Sequence, residues 1–298
     1  MKGIILAGGS GTRLYPITKG ISKQIMPIYD KPMIYYPLSV LMQAGIKDVL
    51  IITTPVDQPG FIKLLGDGSQ FGMNFSYVVQ PSPDGLAQAF ILGEQFIGND
   101  TCAMVLGDNI YFGEGFRNTL LNARNEADKD MATIFGFQVK DPNRFGIMEL
   151  DKNNNVLSVE EKPQEPKSDY AITGLYFYPK GVSEMAKNVI PSKRGELEIT
   201  TLNDMYLQES RLRAELLGSG YTWYDTGTED SLYEATSMIR SVQKNQGRLI
   251  ASPEIIAYDN GWITDDELAQ AADEMKKNEY GKCLARRLEK GRNNQWNF

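Results

Sequence analysis

Short, almost wholly apolar runs at residues 2–6, 49–53, 75–80 and 103–106 alternate with longer amphipathic stretches at 33–44, 86–96 and 116–127. Runs of four to six apolar residues bounded by turn signals read as strands, and the intervening apolar positions recur at helical spacing. Strand and helix alternating in this way predict an α/β fold whose parallel sheet is covered by helices on both faces. Ligands of such sheets bind beyond the carboxyl ends of the strands. The first of these ends carries "LAGGSGTRLYPIT", residues 6–18, with three glycines and an arginine directly behind the apolar run.

From Met131 the pattern changes to strands without intervening helices, at 132–138, 146–150, 156–160 and 171–178, with "DKNNN" as a turn between two of them. The expected sheet is therefore mixed and mostly parallel, with an antiparallel part. Leu232, Ala235, Ile239 and Val242 then mark a helix with Glu229 and Asp230 in its first turn and Gly247 as its stop. "TDDE" at 264–267 is a capping-box pattern, and Tyr280, Leu284 and Leu288 form an apolar stripe on a last helix. No Pro/Gly/Ser linker interrupts residues 1–247, which read as one domain; residues 248–298 read as a C-terminal helical annex and the expected oligomer interface. The basic segment 282–292 is expected to be a solvated face.

Composition narrows the chemistry. Histidine is absent from the 298 residues, which excludes Ser-His-Asp, Cys-His and histidine-ligated metal sites. Catalysis must rest on carboxylates, lysine, arginine or a hard cation with oxygen ligands. The net charge of -7 argues against nucleic acid and anionic membrane as partners. Two cysteines, Cys102 and Cys283, make neither a disulfide framework nor a zinc site, and no stretch reads as a signal peptide or membrane span. A cytoplasmic protein is the expectation.

A glycine turn after a strand can aim backbone N–H groups at a phosphate, and Arg13 adds a cationic fork. "GGSGTR" alone is ambiguous. It lacks the Gly-Lys-Ser/Thr of a P-loop, and Leu14 stands where the dinucleotide fingerprint has its third glycine, which counts against a nicotinamide oxidoreductase. Asp108, behind the strand at 103–106, is placed either as a metal ligand at the sheet edge or as the cap of the "GDN" turn. Asp225 in "WYDTGT" is similarly a ligand or only the turn before a helix. Gln80 can present an amide to a base edge or merely end a strand.

The longer run "GTRLYPITKGISKQIMPIYDKPMI" resembles the signature of the sugar-phosphate nucleotidyltransferases. "VVQPSPDGLAQAF", "VLGDNIYFG", "EEKP", "YAITGLYFY", "RGELEIT" and "YDTGT" follow in the order and spacing of that family's glucose-1-phosphate thymidylyltransferase branch. The resemblance implies a Rossmann-like nucleotidyltransferase fold, dependence on Mg2+, and the reaction of dTTP with glucose 1-phosphate to give dTDP-glucose and pyrophosphate, early in the synthesis of dTDP-rhamnose or related deoxysugars. It further implies a homotetramer inhibited at a second site by a downstream dTDP-sugar.

Carried onto matching positions, the resemblance assigns Leu6, Gly8, Gly9, Gly11, Thr12, Arg13, Gln80, Gly85 and Asp108 to the nucleotide. Gly146, Glu161, Lys162, Thr173 and Arg194 fall to the sugar phosphate, with Arg13, Lys23 and Lys162 as the catalytic cations and Asp108 and Asp225 as magnesium ligands. Phe145 stands where the family has tyrosine, which leaves the exact hexose open; Glu114 stands where histidine is common, a departure expected to affect only the periphery of the site. Uridylyl or cytidylyl transfer, another hexose 1-phosphate, and a nucleotide-sugar sensor without turnover are the alternatives.

Overall fold

In a computed structural model, which describes residues 1–9 and 11–292, the first apolar run forms β1 (Lys2–Ala7), followed by three 3-10 turns and a small hairpin of β2 (Pro27–Ile28) and β3 (Lys31–Pro32). Next come α1 (Tyr35–Gln43), β4 (Asp48–Thr53), α2 (Gln58–Leu65), β5 (Asn74–Val79), α3 (Gln88–Leu92), α4 (Glu94–Ile97), β6 (Cys102–Leu106), β7 (Asn109–Gly113) and α5 (Phe116–Asp128). The second half runs through β8 (Ala132–Gln138), β9 (Gly146–Leu150), β10 (Val156–Glu161), β11 (Tyr170–Tyr178), α6 (Val182–Lys187), α7 (Ile199–Gln208), β12 (Leu212–Leu217) and β13 (Tyr221–Asp225). It closes with α8 (Glu229–Gln246), α9 (Pro253–Asp259), α10 (Asp265–Glu274) and α11 (Glu279–Glu289).

The main sheet runs β10-β9-β11-β6-β1-β4-β5, with β8 pairing β11 and β12 pairing β8. β5, β4, β1 and β6 are mutually parallel, and β11 lies antiparallel between β6 and β8. β10 and β11 run against the rest, so the sheet is mixed but mostly parallel. The physical reason for the unbroken apolar runs is visible in β1. Ile5 and Ala7 join one core cluster with α1, α5 and the annex helices, whereas Ile4 and Leu6 join the cluster beneath α3, α6 and α7 on the opposite face. A strand covered on both faces has no polar side to present.

β7 and β13 form a separate two-stranded ribbon in which Asp225 sits opposite Asn109. α8 starts immediately behind it, with Thr228 as N-cap in a capping box with Ser231, and ends at Gly247 in the left-handed region. The Thr264 capping box with Glu267 forms as its sequence predicts. The annex is no detached unit, because Leu249, Ile255, Ile256, Tyr280 and Leu284 lie in the same cluster as Ile5 and Leu38. The stripe on α11 thus packs within the chain itself.

The segment 282–292 is not simply a solvated face: Arg287 is fully buried, stacks over Tyr258 at 5.4 Å and is paired with Asp259. Its helical position turns it toward α9 while Lys282 and Arg286 stay exposed. Among the described residues, no helix is long and apolar enough to cross a membrane.

Candidate active site

The loop behind β1 turns at Gly9 and Gly11, whose φ of 128° and 58° a side chain would strain. With Gly8, Thr12, Arg13, Lys23 and Asp108 it encloses a cavity of about 270 Å³. Ser10 lies outside the described residues. A second cavity, also about 270 Å³, is lined by Arg144, Gly146, Glu161, Lys162, Arg194, Glu198, Thr200, Trp223 and Asp225. Arg13 and Asp108 line both. The two cavities are therefore halves of one cleft at the carboxyl ends of β1 and β6.

Lys23 is buried on a 3-10 turn and donates to Asp108 Oδ2 at 2.6 Å, while Asn109 Nδ2 donates to Asp108 Oδ1 at 3.1 Å. The Arg13 guanidinium lies over Gly227, where a Cβ would approach its Nη2 to 3.0 Å. Thr226, between the second aspartate and that glycine, ties the two acidic segments together. Its N–H and its hydroxyl both donate to the Asp108 carbonyl, at 3.2 and 2.9 Å.

Burial pushes the Asp225 carboxyl up, the negative charge of Asp108 adds to this, and Lys23, Arg13 and Arg144 pull the other way. Burial acts on Asp108 in the same sense, but the Lys23 ammonium and the hydrogen bonds from Lys23 and Asn109 outweigh it and hold that carboxyl below its usual value. Two carboxylates that repel each other at a cleft wall are a natural seat for a cation. The donors are hard oxygens. No group of three or more acidic, cysteine or histidine side chains that could hold a metal occurs among the described residues, so an ion here needs oxygen ligands from substrate or water, the habit of magnesium.

In the other half, Glu161 pairs with Gly146 across β10 and β9 and accepts from Thr200 Oγ1 at 2.5 Å. Lys162 follows at a φ of 45°, a strained conformation for lysine that turns the chain as the strand ends; its Nζ lies 3.4 Å from Glu161 Oε1. Arg194 reaches Glu198 at 2.8 Å, Glu196 at 3.2 Å and Glu161 at 3.6 Å. Phe145 packs on Trp223 at 5.2 Å between centroids and is half-buried, so the position that lacks a hydroxyl is filled by ring contact.

Residues 2–242 match the family model described as nucleotidyl transferase. The chain belongs to that family. A glucose-1-phosphate thymidylyltransferase of Neisseria meningitidis is 59% identical over 290 residues, covering 97% of this chain and all of the relative. One from Mycobacterium tuberculosis is 51% identical over the same shares of both chains. A Bacillus anthracis protein crystallised with sucrose, 42% identical, superposes with a TM-score of 0.74 over 80% of this chain and 95% of its own.

In this nucleotidyl transferase the cleft brings together Gly8, Gly9, Gly11, Thr12, Arg13, Lys23, Asp108, Gly146, Glu161, Lys162, Arg194 and Asp225. Gln80 is buried beside Gly8. Leu6 lies beneath the loop in the core, accepting from the Gly107 N–H through its carbonyl. Gly85, at a φ of 109°, packs on the Leu197 backbone, where a Cβ would sit 2.3 Å from the carbonyl oxygen; that close approach explains its glycine. Thr173 is not among the residues that line the sugar-side cavity. It is fully buried, and its neighbours Ile172 and Gly174 form the wall of the sugar-side cavity. Successive residues of a strand face opposite sides, and Thr173 falls on the inner one.

Asn109, Thr226 and Arg144 went unassigned in sequence. Asn109 Oδ1 accepts from Trp223 Nε1 at 2.6 Å and from the Gly174 N–H at 3.1 Å while its amide holds Asp108, so one buried side chain joins both halves of the cleft. The "GDN" motif contained it, but only as a turn residue.

Proposed function

We propose that this enzyme transfers the thymidylyl group of dTTP to glucose 1-phosphate, releasing pyrophosphate and forming dTDP-glucose for the synthesis of deoxysugars in the cytoplasm. The observation that carries the reading is the single cleft with a glycine-lined, cationic half and an acid-and-base-lined half meeting at Arg13 and Asp108. The named activity of the Neisseria meningitidis and Mycobacterium tuberculosis relatives supports the choice of substrates.

A phosphate oxygen of glucose 1-phosphate is already anionic, so it attacks the α-phosphorus of dTTP without a general base. The new P–O bond forms in line with the breaking bond to the β-phosphate oxygen, and pyrophosphate leaves carrying that electron pair. Arg13 and Lys23 face the nucleotide phosphates and counter the charge that gathers on the leaving group, while the backbone N–H groups of the loop hold the triphosphate. Lys162 and Arg194 hold the sugar phosphate, and Glu161 accepts from sugar hydroxyls. Asp108 and Asp225 are the residues that would hold magnesium, which supplies charge neutralisation to the phosphoryl oxygens when bound. Gln80 meets the base edge. Its methyl distinguishes thymine from uracil by only about 1–3 kcal/mol in a pocket, so UTP is the nearest competitor.

The division of the cleft is tested by steady-state kinetics on Lys162→Gln. The expected result is a raised KM for glucose 1-phosphate with that for dTTP little changed; a rise confined to dTTP would overturn the assignment. The sequence resemblance supports a homotetramer with a dTDP-sugar effector site. Sedimentation velocity is expected to give the tetramer, and a monomer at micromolar concentration contradicts it.

A further inference from the structure

Behind β5 runs a chain of side-chain hydrogen bonds that the phosphate chemistry does not use. Ser82 Oγ and Gln88 Nε2 both donate to Asp84 Oδ2, at 2.6 and 2.8 Å. Gln88 Oε1 in turn accepts from Gln80 Nε2 at 2.7 Å. A carboxylate accepts and does not donate, so Asp84 fixes the sense of the whole chain. Gln88 must aim its NH2 group at Asp84 and its oxygen at Gln80, and Gln80 must then aim its own NH2 group at Gln88.

The other end of the Gln80 amide is thereby decided. Gln80 Oε1 lies against Gly8, where an added Cβ would come within 2.5 Å of it, and Gly8 lines the loop half of the cleft. Asp84 is itself anchored, because its carbonyl accepts from the Leu197 N–H at 2.6 Å. The acceptor therefore faces the nucleotide side on a fixed support.

Thymine and uracil present an N3–H donor between two carbonyls, whereas cytosine presents a bare N3 acceptor beside an amino group. A fixed amide oxygen pairs with the first and repels the second. We propose that Gln88, held by Asp84, is the positioning residue that sets this site's preference for keto pyrimidine nucleotides over cytosine nucleotides, by dictating which end of the Gln80 amide meets the base. The inference rests on the reading that Gln80 meets the base.

The test is kcat/KM with dTTP and with dCTP for the parent enzyme, Gln88→Met, Gln88→Glu and Gln80→Leu. Gln88→Met frees the Gln80 amide to turn, and the dTTP:dCTP ratio falls by about tenfold, with dCTP use rising in absolute terms. Gln88→Glu is made together with Asp84→Asn, since alone it would set two carboxylates against each other; the pair keeps an acceptor opposite Gln80 Nε2 and a hydrogen bond between positions 84 and 88, and keeps the ratio. A merely structural role lowers use of both nucleotides in parallel, and that result, or an unchanged ratio in Gln88→Met, overturns the proposal. Gln80→Leu separates the two layers. If it impairs dTTP use while Gln88→Met leaves the ratio intact, this proposal alone falls; if it leaves the KM for dTTP unchanged, the base contact falls and the proposal with it.

Discussion

Lys23 stands between a structural and a catalytic role, since a buried ammonium 2.6 Å from Asp108 also neutralises a wall of the cleft. Replacement by methionine is expected to lower kcat by about 10²–10³, the scale of one lost charge-stabilising donor, with a much smaller effect on thermal unfolding. An active Lys23→Met enzyme refutes the role. Asn109→Leu leaves the Trp223 Nε1 and the Gly174 N–H without their acceptor, at roughly 1–3 kcal/mol for each orphaned donor. Both the melting temperature and the affinity for glucose 1-phosphate should drop; a variant with parental stability means that the hub is dispensable. Arg13, Lys23, Asp108 and Asp225 line one cleft, as their common assignment by the family resemblance leads one to expect, whereas their residue types alone left each of them ambiguous. The linking role of Asn109 was not legible, for the Gly174 N–H and Trp223 Nε1 that its oxygen accepts from lie 65 and 114 residues away and nothing local in "GDN" points to them. The inward position of Thr173 was illegible for a related reason. "YAITGLYFY" is buried along most of its length, so composition gives no clue to which residues face the cleft.

Strands covered on both faces were the most readable elements, since burial on two sides leaves only apolar residues to choose from. β8 and β9 fall where the sequence places them, β1, β4, β6, β10 and β11 differ by one residue at one end, and β5 is shifted by one residue at both. β12 escaped notice because "LRAELL" interleaves charges along a half-buried strand, and the expected helix at 86–96 is broken at Gly93 into α3 and α4. α11 offers a test at this scale. Its Arg287 and Asp259 form a buried ion pair, and Arg287→Met strands the Asp259 charge. The expected loss is about 3–5 kcal/mol of stability by denaturant titration, without a change in the KM for either substrate. Stability within 1 kcal/mol of the parent, on the scale of an exposed pair, contradicts the burial seen here.

Across the whole molecule, the annex is fastened to the catalytic body through a polar cluster inside apolar packing. Glu254 of α9 accepts from Tyr280 of α11 and from Ser252, and faces Lys31 of β3 and Tyr35 of α1. Burial pushes the Glu254 carboxyl up, against the hydrogen bonds and Lys31. A raised folded value means that its contribution to stability is fully present below the unfolded glutamate value of about 4.3 and is lost as pH rises through the folded value. Glu254→Gln should therefore gain in melting temperature relative to the parent as pH rises from the unfolded glutamate value of about 4.3 toward neutrality, by about the cost of ionising the buried acid. A constant difference across that range contradicts the sign.

If one cleft, joined at Arg13 and Asp108, holds a nucleoside triphosphate against a sugar phosphate, pyrophosphate release depends on both substrates. Initial rates of pyrophosphate release with dTTP, measured with and without glucose 1-phosphate and with and without magnesium, test it most directly. Release that requires both additions, with dTDP-glucose as the co-product and UTP as the next-best nucleotide in a panel with CTP, ATP and GTP, is the predicted result. Release that is indifferent to glucose 1-phosphate, or none with any nucleotide when the sugar phosphate is present, would contradict it.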